Sequence, residues 1–193
     1  LFIALFLLIA SAGTASAAQW WLGNGQGVQT PLPFVPGSQD TLRLGIAGNS
    51  TAFSAVQVDF YLPTGAILMG EPYAGNITNG HQLTWRQSED KQWMRIVLHS
   101  VKNSTMKTRK GELICIPVFW ASDTKGSSCH TANSVLATPG SEAVTTTELQ
   151  VSLTAKVEKK PITVNVSNTE QVHQAGNTAA LTVTTLPADL KVE

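Results

Sequence analysis

Charged residues and cysteines are both scarce in this chain of 193 residues. Only 13% of the residues are charged, and 13 Lys and Arg residues balance 13 Asp and Glu residues. A net charge of zero lacks the positive excess that binds phosphate backbones, so the sequence predicts no nucleic-acid partner. Two cysteines are too few for a disulfide-stapled scaffold or for a zinc site built from four cysteines.

The sequence motifs of common enzymes are also missing. The chain contains no Gly-x-Ser-x-Gly, no His-Glu-x-x-His and no phosphate-binding loop, and its four histidines are widely spaced. Catalysis requires reactive groups that converge. We therefore expect a protein that is not an enzyme and that uses neither a metal ion nor a cofactor.

The first charged residue is Asp40, and the first ten residues are all apolar (LFIALFLLIA). Small residues follow, and Ala15 and Ala17 fit the small-x-small pattern of a signal-peptidase site. We therefore interpret residues 1–18 as a signal peptide whose start is missing. A membrane anchor is the alternative, because no initiator Met and no basic segment precede the apolar run. Export would place the protein outside a bacterial cell or on its surface, with membrane contact only through export or an unseen anchor.

Apolar residues alternate with polar ones in several segments of the body of the chain. This period of two is typical of β-strands with one buried and one solvated face. The clearest segments are Leu42–Ile46, Ala55–Leu62, Met94–Leu98 and Leu149–Val157. Gly111–Trp120 is apolar in both parities, which predicts a central strand, with Pro117 at an edge or bulge.

Turn-forming pairs such as Asn79-Gly80 and Pro139-Gly140 separate these segments, and no long segment has a helical period. About nine short strands with regular breakers predict an all-β fold, an antiparallel jelly-roll β-sandwich over residues 19–158. A charged, proline-containing linker is predicted at 159–161. Residues 162–193 hold only two alternating segments, too few for an independent core, so we interpret them as a truncated second β unit of a longer surface protein.

Two stretches of the body carry a family resemblance. The first reads AVQVDFYLPTGAIL (Ala55–Leu68), a strand that ends in Leu-Pro-x-Gly. The second reads IVLHSVKNSTMKTRKGELICIPV (Ile96–Val118), in which a Ser-x-x-Asn tail is followed by Gly-Glu-Leu and an apolar strand. Together they resemble a cohesin domain, over about residues 26–157. Residues 162–193 are similar to the opening of a bacterial Ig-like repeat of the MBG type.

The cohesin resemblance implies a nine-stranded jelly roll in the superfamily that also contains some cellulose-binding modules. It implies a non-catalytic module that grips a dockerin and so assembles polysaccharide-degrading enzymes outside the cell. One sheet face of a cohesin receives the dockerin. Many cohesin-like domains of gut bacteria have no known dockerin, so the resemblance does not fix the partner.

Cys115 and Cys129 have two interpretations. In an oxidising compartment they can form a bridge that closes a short loop and contributes about 2–3 kcal/mol. They can equally be two free, buried thiols, because sequence spacing does not define the distance between their Cα atoms.

Strand parity selects a candidate binding surface. Met94, Ile96 and Leu98 have the core parity of their segment, so its other residues point outward. An exposed Trp could stack on a sugar ring or anchor a protein partner. The polar parity of the 55–62 segment forms a second solvated row. The candidate binding residues are Gln57, Asp59, Tyr61, Trp85, Trp93 and Arg95.

Trp85 and Trp93 flank a predicted hairpin turn at Ser88–Lys91. With a three-residue loop the two indoles would face each other across the hairpin, whereas a two- or four-residue loop would place Trp85 opposite Met94.

Three functions fit these observations: recognition of a dockerin-like protein module, binding of a polysaccharide, and a passive spacer in an adhesin. A planar row of surface aromatic rings would favour the polysaccharide, and a polar sheet face without aromatic rings would favour the protein module. The absence of any such patch would favour the spacer.

Overall fold

A computed structural model of the chain describes residues 17–49, 51–124, 128–144 and 146–156. All regular secondary structure in these residues is β-strand, which confirms the predicted all-β class. The strands outnumber the nine expected, because several short pieces of two or three residues form separate strands. They are β1 (Ala18–Gly23), β2 (Leu32–Phe34), β3 (Gln39–Ala47), β4 (Ala55–Tyr61), β5 (Ala66–Leu68), β6 (Tyr73–Ala74), β7 (Gln82–Gln87), β8 (Trp93–His99), β9 (Gly111–Trp120), β10 (Ser128–Ala137), β11 (Ala143–Val144), β12 (Thr146–Thr147) and β13 (Gln150–Ala155).

These strands form two sheets. The six-stranded sheet has the order β12-β1-β3-β9-β5, and β6 also pairs with β9. The seven-stranded sheet has the order β2-β13-β10-β4-β8-β7, and β11 also pairs with β10. Most neighbours are antiparallel, as predicted, whereas β1–β12 and β2–β13 pair in parallel. Strands distant in sequence are neighbours in both sheets, which is the connectivity of a jelly roll.

One apolar core is built from alternate positions of strands in both sheets. Leu42, Leu44 and Ile46 of β3 are fully buried, and so are Met94, Ile96 and Leu98 of β8. The period-two pattern therefore predicted the inward parity of these strands correctly. The largest buried side chain, Trp120, packs against Phe34 with 4.8 Å between ring centroids.

Pro117 lies in β9, which is a central strand and not an edge. On one side β9 pairs with β3. On its other side β5 and β6 pair with residues 118–120 and 114–115, and Pro117 falls between them. The Pro117 carbonyl accepts a hydrogen bond from the Met69 N–H on that side (3.0 Å). Because Pro lacks an N–H, it is tolerated at this local interruption of the ladder.

Cys115 and Cys129 are both free and buried, so the second of the two interpretations describes this structure. Cys115 is in β9 of the six-stranded sheet, opposite Arg43 and Tyr73, on the side that faces away from the core. Cys129 is in β10 of the seven-stranded sheet and belongs to the core. Packed sheets lie about 10 Å apart, whereas bridged cysteines need Cα atoms within about 7 Å.

Two predicted segments lie largely or wholly outside the described residues. They are the signal peptide at 1–18, of which only residues 17 and 18 are described, and the second unit at 162–193 together with its linker. The chain divides into two compact units, 1–157 and 158–193, and every described residue belongs to the first. Within the described ranges, no helix has the length and hydropathy that crossing a membrane requires.

Candidate functional site

An ion pair lies at the centre of the outer face of the seven-stranded sheet. Asp59 of β4 is directly opposite Arg95 of β8 in the antiparallel ladder. Arg95 donates from Nε to Oδ1 of Asp59 and from Nη2 to Oδ2, both at 2.7 Å. This bidentate geometry is the strong form of a charge-assisted hydrogen bond, and it fixes the direction of the guanidinium group.

Asn133 of β10 also binds the Asp59 carboxylate, from the side opposite to Arg95. The ladder between β10 and β4 shifts its register between Ala132 and Val135, so β10 bulges there. Asn133 lies in the bulge with a φ of 50°, a left-handed conformation that Asn tolerates better than most residues. Its Nδ2 donates to Oδ2 of Asp59 at 2.8 Å. The bulge therefore turns an amide donor towards the carboxylate.

Asp59 is on the outer parity of β4, as predicted, but it is not exposed to solvent. Only 1% of the residue is accessible, because Arg95 and Asn133 cover it. The hydrogen bonds from Arg95 hold the pKa of the Asp59 carboxyl below its ordinary value, against the opposing effect of burial. The prediction of a solvated Asp59 is thus wrong, since a paired carboxylate orders two neighbouring side chains instead of facing water.

Three aromatic rings cross the same face in one row. His130 of β10 is opposite Tyr61 of β4, and Tyr61 is opposite Trp93 of β8. The His130 and Tyr61 ring centroids are 4.3 Å apart with 12° between the planes. Tyr61 and Trp93 are stacked at 6.0 Å and 26°. Rings as close and as parallel as His130 and Tyr61 lie face to face, so one face of the Tyr61 ring is covered.

Trp93 and Arg95 join the aromatic row to the ion pair. The guanidinium carbon of Arg95 is 5.9 Å from the centroid of the Trp93 ring, within the range of a cation–π contact. Both residues have the outward parity that the sequence predicted, because Met94, Ile96 and Leu98 of the same strand are fully buried. The indole is half-buried, and the Arg95 side chain retains 46% exposure.

Trp85 does not share a face with Trp93, and both predicted hairpin registers are wrong. The loop has four residues, 89–92, and begins one residue later than the predicted turn at Ser88–Lys91, because the Ser88 N–H donates to the Trp93 carbonyl (3.0 Å). Trp85 is consequently opposite Ile96, a fully buried residue, and not opposite Trp93 or Met94. It packs half-buried against the core from β7, at the edge of the sheet.

A shallow groove of about 340 Å³ lies over β7 and β8. Trp85 and Gln87 of β7 contribute to its wall. Its other lining residues have the outward parity of the two strands. They are Thr84, Arg86, Ser88, Trp93, Arg95 and Val97.

Gln57 lies in the row beside this groove. It is half-buried and opposite Val97 on one side and Val135 on the other. Val135 is 43% exposed, so this part of the face is apolar at its margin. We call the solvent side of these four neighbouring strands of the seven-stranded sheet the outer β10-β4-β8-β7 face.

The structure therefore brings together five of the six predicted site residues on one face and turns Trp85 to the other. Sequence reasoning missed Asn133, His130 and Arg86 as members of this face. The alternation of residues 82–87 would have predicted that Arg86 faces outward. The positions of Asn133 and His130 depend on the pairing of β10 with β4 and on the bulge, which leave no local pattern.

No cluster of three or more His, Cys, Asp or Glu side chains that could hold a metal ion occurs among the described residues. What this arrangement offers chemically is a rigid surface with hydrogen-bond donors and aromatic edges.

Several solved structures that are similar to this fold are cohesin modules. The sixth cohesin of scaffoldin B from Acetivibrio cellulolyticus, solved in complex with a dockerin, superposes with a TM-score of 0.58 at 12% identity, over 74% of this chain and 100% of that one. A Clostridium thermocellum cohesin in complex with a dockerin gives 0.56 at 9% identity, over 73% and 96%. The cohesin module of a Clostridium perfringens family 33 glycoside hydrolase gives 0.56 at 13%, over 73% and 99%.

At such low sequence identity, these superpositions show the fold of the chain and not its binding partner. The described residues have the jelly-roll fold of cohesin modules, as the resemblance predicted. No protein-family model matches the chain, and no curated protein matches it in sequence.

Proposed function

We propose that this chain is a non-catalytic, extracellular binding module that recognises a dockerin-like protein through the outer β10-β4-β8-β7 face. The observation that carries the proposal is the ordered network on that face, in which Asn133, Asp59 and Arg95 connect to the ring of Trp93. Cohesin modules solved in complex with dockerins have this fold. The extracellular location rests on the interpretation of residues 1–18 as a signal peptide.

Preorganisation is the physical reason for choosing this face. The bidentate pair and the stacked rings already hold their side chains, so binding costs less conformational entropy than it would on a face of free long side chains. Trp, Tyr and Arg are also the residues that most often supply binding energy in protein interfaces. The face contains one or more of each.

The ring geometry favours a protein over a polysaccharide. A sugar-binding platform presents the flat faces of its aromatic rings to the ligand. Here Tyr61 is covered on one face by His130 at 4.3 Å and is stacked with Trp93 on the neighbouring strand. The row therefore offers mainly ring edges, together with the exposed part of Trp93.

Binding measurements on the full chain test the proposal. The chain is immobilised and titrated with all dockerins encoded in the genome that encodes it, and with insoluble polysaccharides. We expect at least one dockerin to bind, and Trp93→Ala to weaken that binding about tenfold or more. The matched control is Tyr73→Ala, because Tyr73 is a 51% exposed aromatic residue on the other sheet.

Three results would contradict the proposal. Binding that Tyr73→Ala abolishes and Trp93→Ala leaves intact would place the partner on the six-stranded sheet. Retention by a polysaccharide that Trp93→Ala removes would support the sugar-binding alternative. Failure of every dockerin and every polysaccharide to bind would leave the passive spacer.

A further inference from the structure

We infer that the partner contacts this module through an acidic segment, one carboxylate of which binds Arg86 in the groove over β7 and β8. The inference rests on the proposed function and names the chemistry of the partner at the same face. It comes from the distribution of charge across one row of the sheet.

Two arginines face each other in that row. Arg86 of β7 is directly opposite Arg95 of β8, and Arg95 is directly opposite Asp59 of β4. Like charges at opposed positions destabilise a pair of strands. Asp59 neutralises one of the two arginines through its bidentate pair. Arg86 is exposed and forms no ion pair with any described residue, so the row keeps one uncompensated positive charge.

The groove supplies the other features of a carboxylate site. Arg86, Thr84 and Ser88 line it on the β7 side, and the indole of Trp93 and the side chain of Val97 line it on the β8 side. A guanidinium group binds a carboxylate through two parallel hydrogen bonds, and the hydroxyl group of Thr84 can donate to the same oxygens. A volume of about 340 Å³ is at the lower limit of ligand pockets, which suits one or two side chains of a partner.

The acidic residues of the neighbouring loop do not supply the carboxylate that would bind Arg86. Asp90 accepts hydrogen bonds from the Ser88 hydroxyl and the Gln92 N–H, so its carboxylate is used within the loop. Glu89 is exposed in that loop and would repel a carboxylate at the loop end of the groove. The incoming carboxylate is therefore expected at the Thr84–Arg86 end, and not beside Ser88.

A site-resolved NMR titration tests the inference. The full chain labelled with ¹⁵N is titrated at low salt with an acetylated, amidated tetraglutamate peptide and, separately, with the matching tetraglutamine peptide. We expect only tetraglutamate to shift the amide signals of Thr84 and Arg86 and the indole N–H signal of Trp93. Added salt should weaken this binding, because it screens exposed charges.

Two variants locate the charge that is responsible. Arg86→Gln is expected to lower the affinity of that site for tetraglutamate about three- to fivefold, the range of an exposed ion pair. The matched control is Arg43→Gln. Arg43 is also an exposed arginine on a strand. It lies on the six-stranded sheet, away from the groove, and forms an ion pair with Glu112 at 3.0 Å. We expect this control to leave the Thr84 and Arg86 shifts unchanged.

The outcomes separate this inference from the proposed function. The inference is overturned if Arg86 does not shift at millimolar peptide, or if tetraglutamine gives equal shifts. It is also overturned if the shifts are confined to the loop 102–110 between β8 and β9, which contains Lys102, Lys107, Arg109 and Lys110. If a dockerin binds in a Trp93-dependent way while Arg86→Gln leaves its affinity unchanged, the proposed function stands and the inference fails. If tetraglutamate binds at Arg86 and no dockerin binds, the anion subsite stands without the proposed partner.

Discussion

The indole of Trp21 occupies the space that a side chain at Gly45 would need. The two residues are directly opposite in the antiparallel ladder between β1 and β3. A Cβ atom at position 45 would overlap the Trp21 ring and also the carbonyl oxygen of Gly111 on β9. Glycine is therefore required here by close packing across three strands, and not by a left-handed backbone.

We predict that Gly45→Ala destabilises the domain by about 1–3 kcal/mol, the cost of overpacking, or roughly 3–10 °C in Tm. Thermal unfolding followed by circular dichroism measures the change. The control is Gly25→Ala, because no atom lies within 4 Å of a Cβ at that position. Equal losses in the two variants would contradict the packing explanation.

We predict that Asp59→Asn lowers the stability of the domain near neutral pH and makes that stability less dependent on pH in the acidic range. The variant leaves Arg95 without a carboxylate, and we expect Tm near neutral pH to fall by about 5 °C. In the parent chain the paired carboxylate has a lowered pKa. Its contribution is therefore present above the ordinary Asp pKa of about 3.9 and is lost as the pH falls through the lower folded-state value.

Urea unfolding between about pH 5 and pH 2.5 measures this contribution. The part of the slope that Asp59 supplies should be absent in Asp59→Asn. The control is Asp123→Asn, an exposed aspartate in the turn after β9, which should behave like the parent chain. A full acid-dependent slope in the Asp59 variant would contradict the assignment.

The burial of His81 predicts a second, smaller loss of stability as the pH is lowered. The residue is 8% exposed, its Nδ1 accepts a hydrogen bond from the Asn79 N–H (3.0 Å), and its Nε2 has no hydrogen-bond partner among the described residues. Burial lowers the pKa of the imidazole. As the pH falls below the ordinary value of about 6.5, the unfolded chain binds a proton that the folded chain rejects, so the free energy of unfolding decreases.

We expect the Tm of the parent chain to decrease as the pH is lowered from about 6.5 to about 5. In His81→Gln, Tm should change less over the same pH range. Calorimetry across that range measures it. His130→Gln, which replaces a half-buried histidine of β10, is the control and should retain the slope that His81 supplies. A parent Tm that is constant over this range would contradict the prediction.

The two cysteines should be unreactive until the domain unfolds. Burial is the main cause that raises the pKa of Cys115 to about 11 and that of Cys129 to about 12, so little thiolate is present near neutral pH. We predict no reaction with a chromogenic disulfide reagent under native conditions, and two reactive thiols in denaturant without reductant. Two missing thiols in the denatured chain would instead indicate a bridge between them.

The local pattern of the sequence predicted which residues of each long strand face the core. The alternation in Leu42–Ile46, Met94–Leu98 and Ala55–Leu62 determined the inward parity, and it thereby placed Trp93 and Arg95 outside. Such a pattern can be read locally because side chains of a strand alternate strictly between its two faces. Alternation within one strand did not determine which residue pairs with Trp85, because a hairpin's register depends on the residues at which its loop begins and ends.

The candidate site could be predicted only in part, for a related reason. Asp59 was found by parity, but its burial depends on Arg95 from one neighbouring strand and Asn133 from another. Asn133 is 74 positions away in sequence, and it reaches Asp59 only because β10 bulges. Neither the bulge nor the partner strand has a signature in the surrounding residues.

The sequence by itself determined the class of this protein: short amphipathic strands, broken by turns, must pair two layers around one apolar core. Tertiary structure alone decided which strands are neighbours, and with them the stacking of His130 on Tyr61, the burial of Asp59 and the position of Arg86 opposite Arg95. The physical reason is that alternation is encoded within a strand, whereas the register between strands follows from packing over the whole domain.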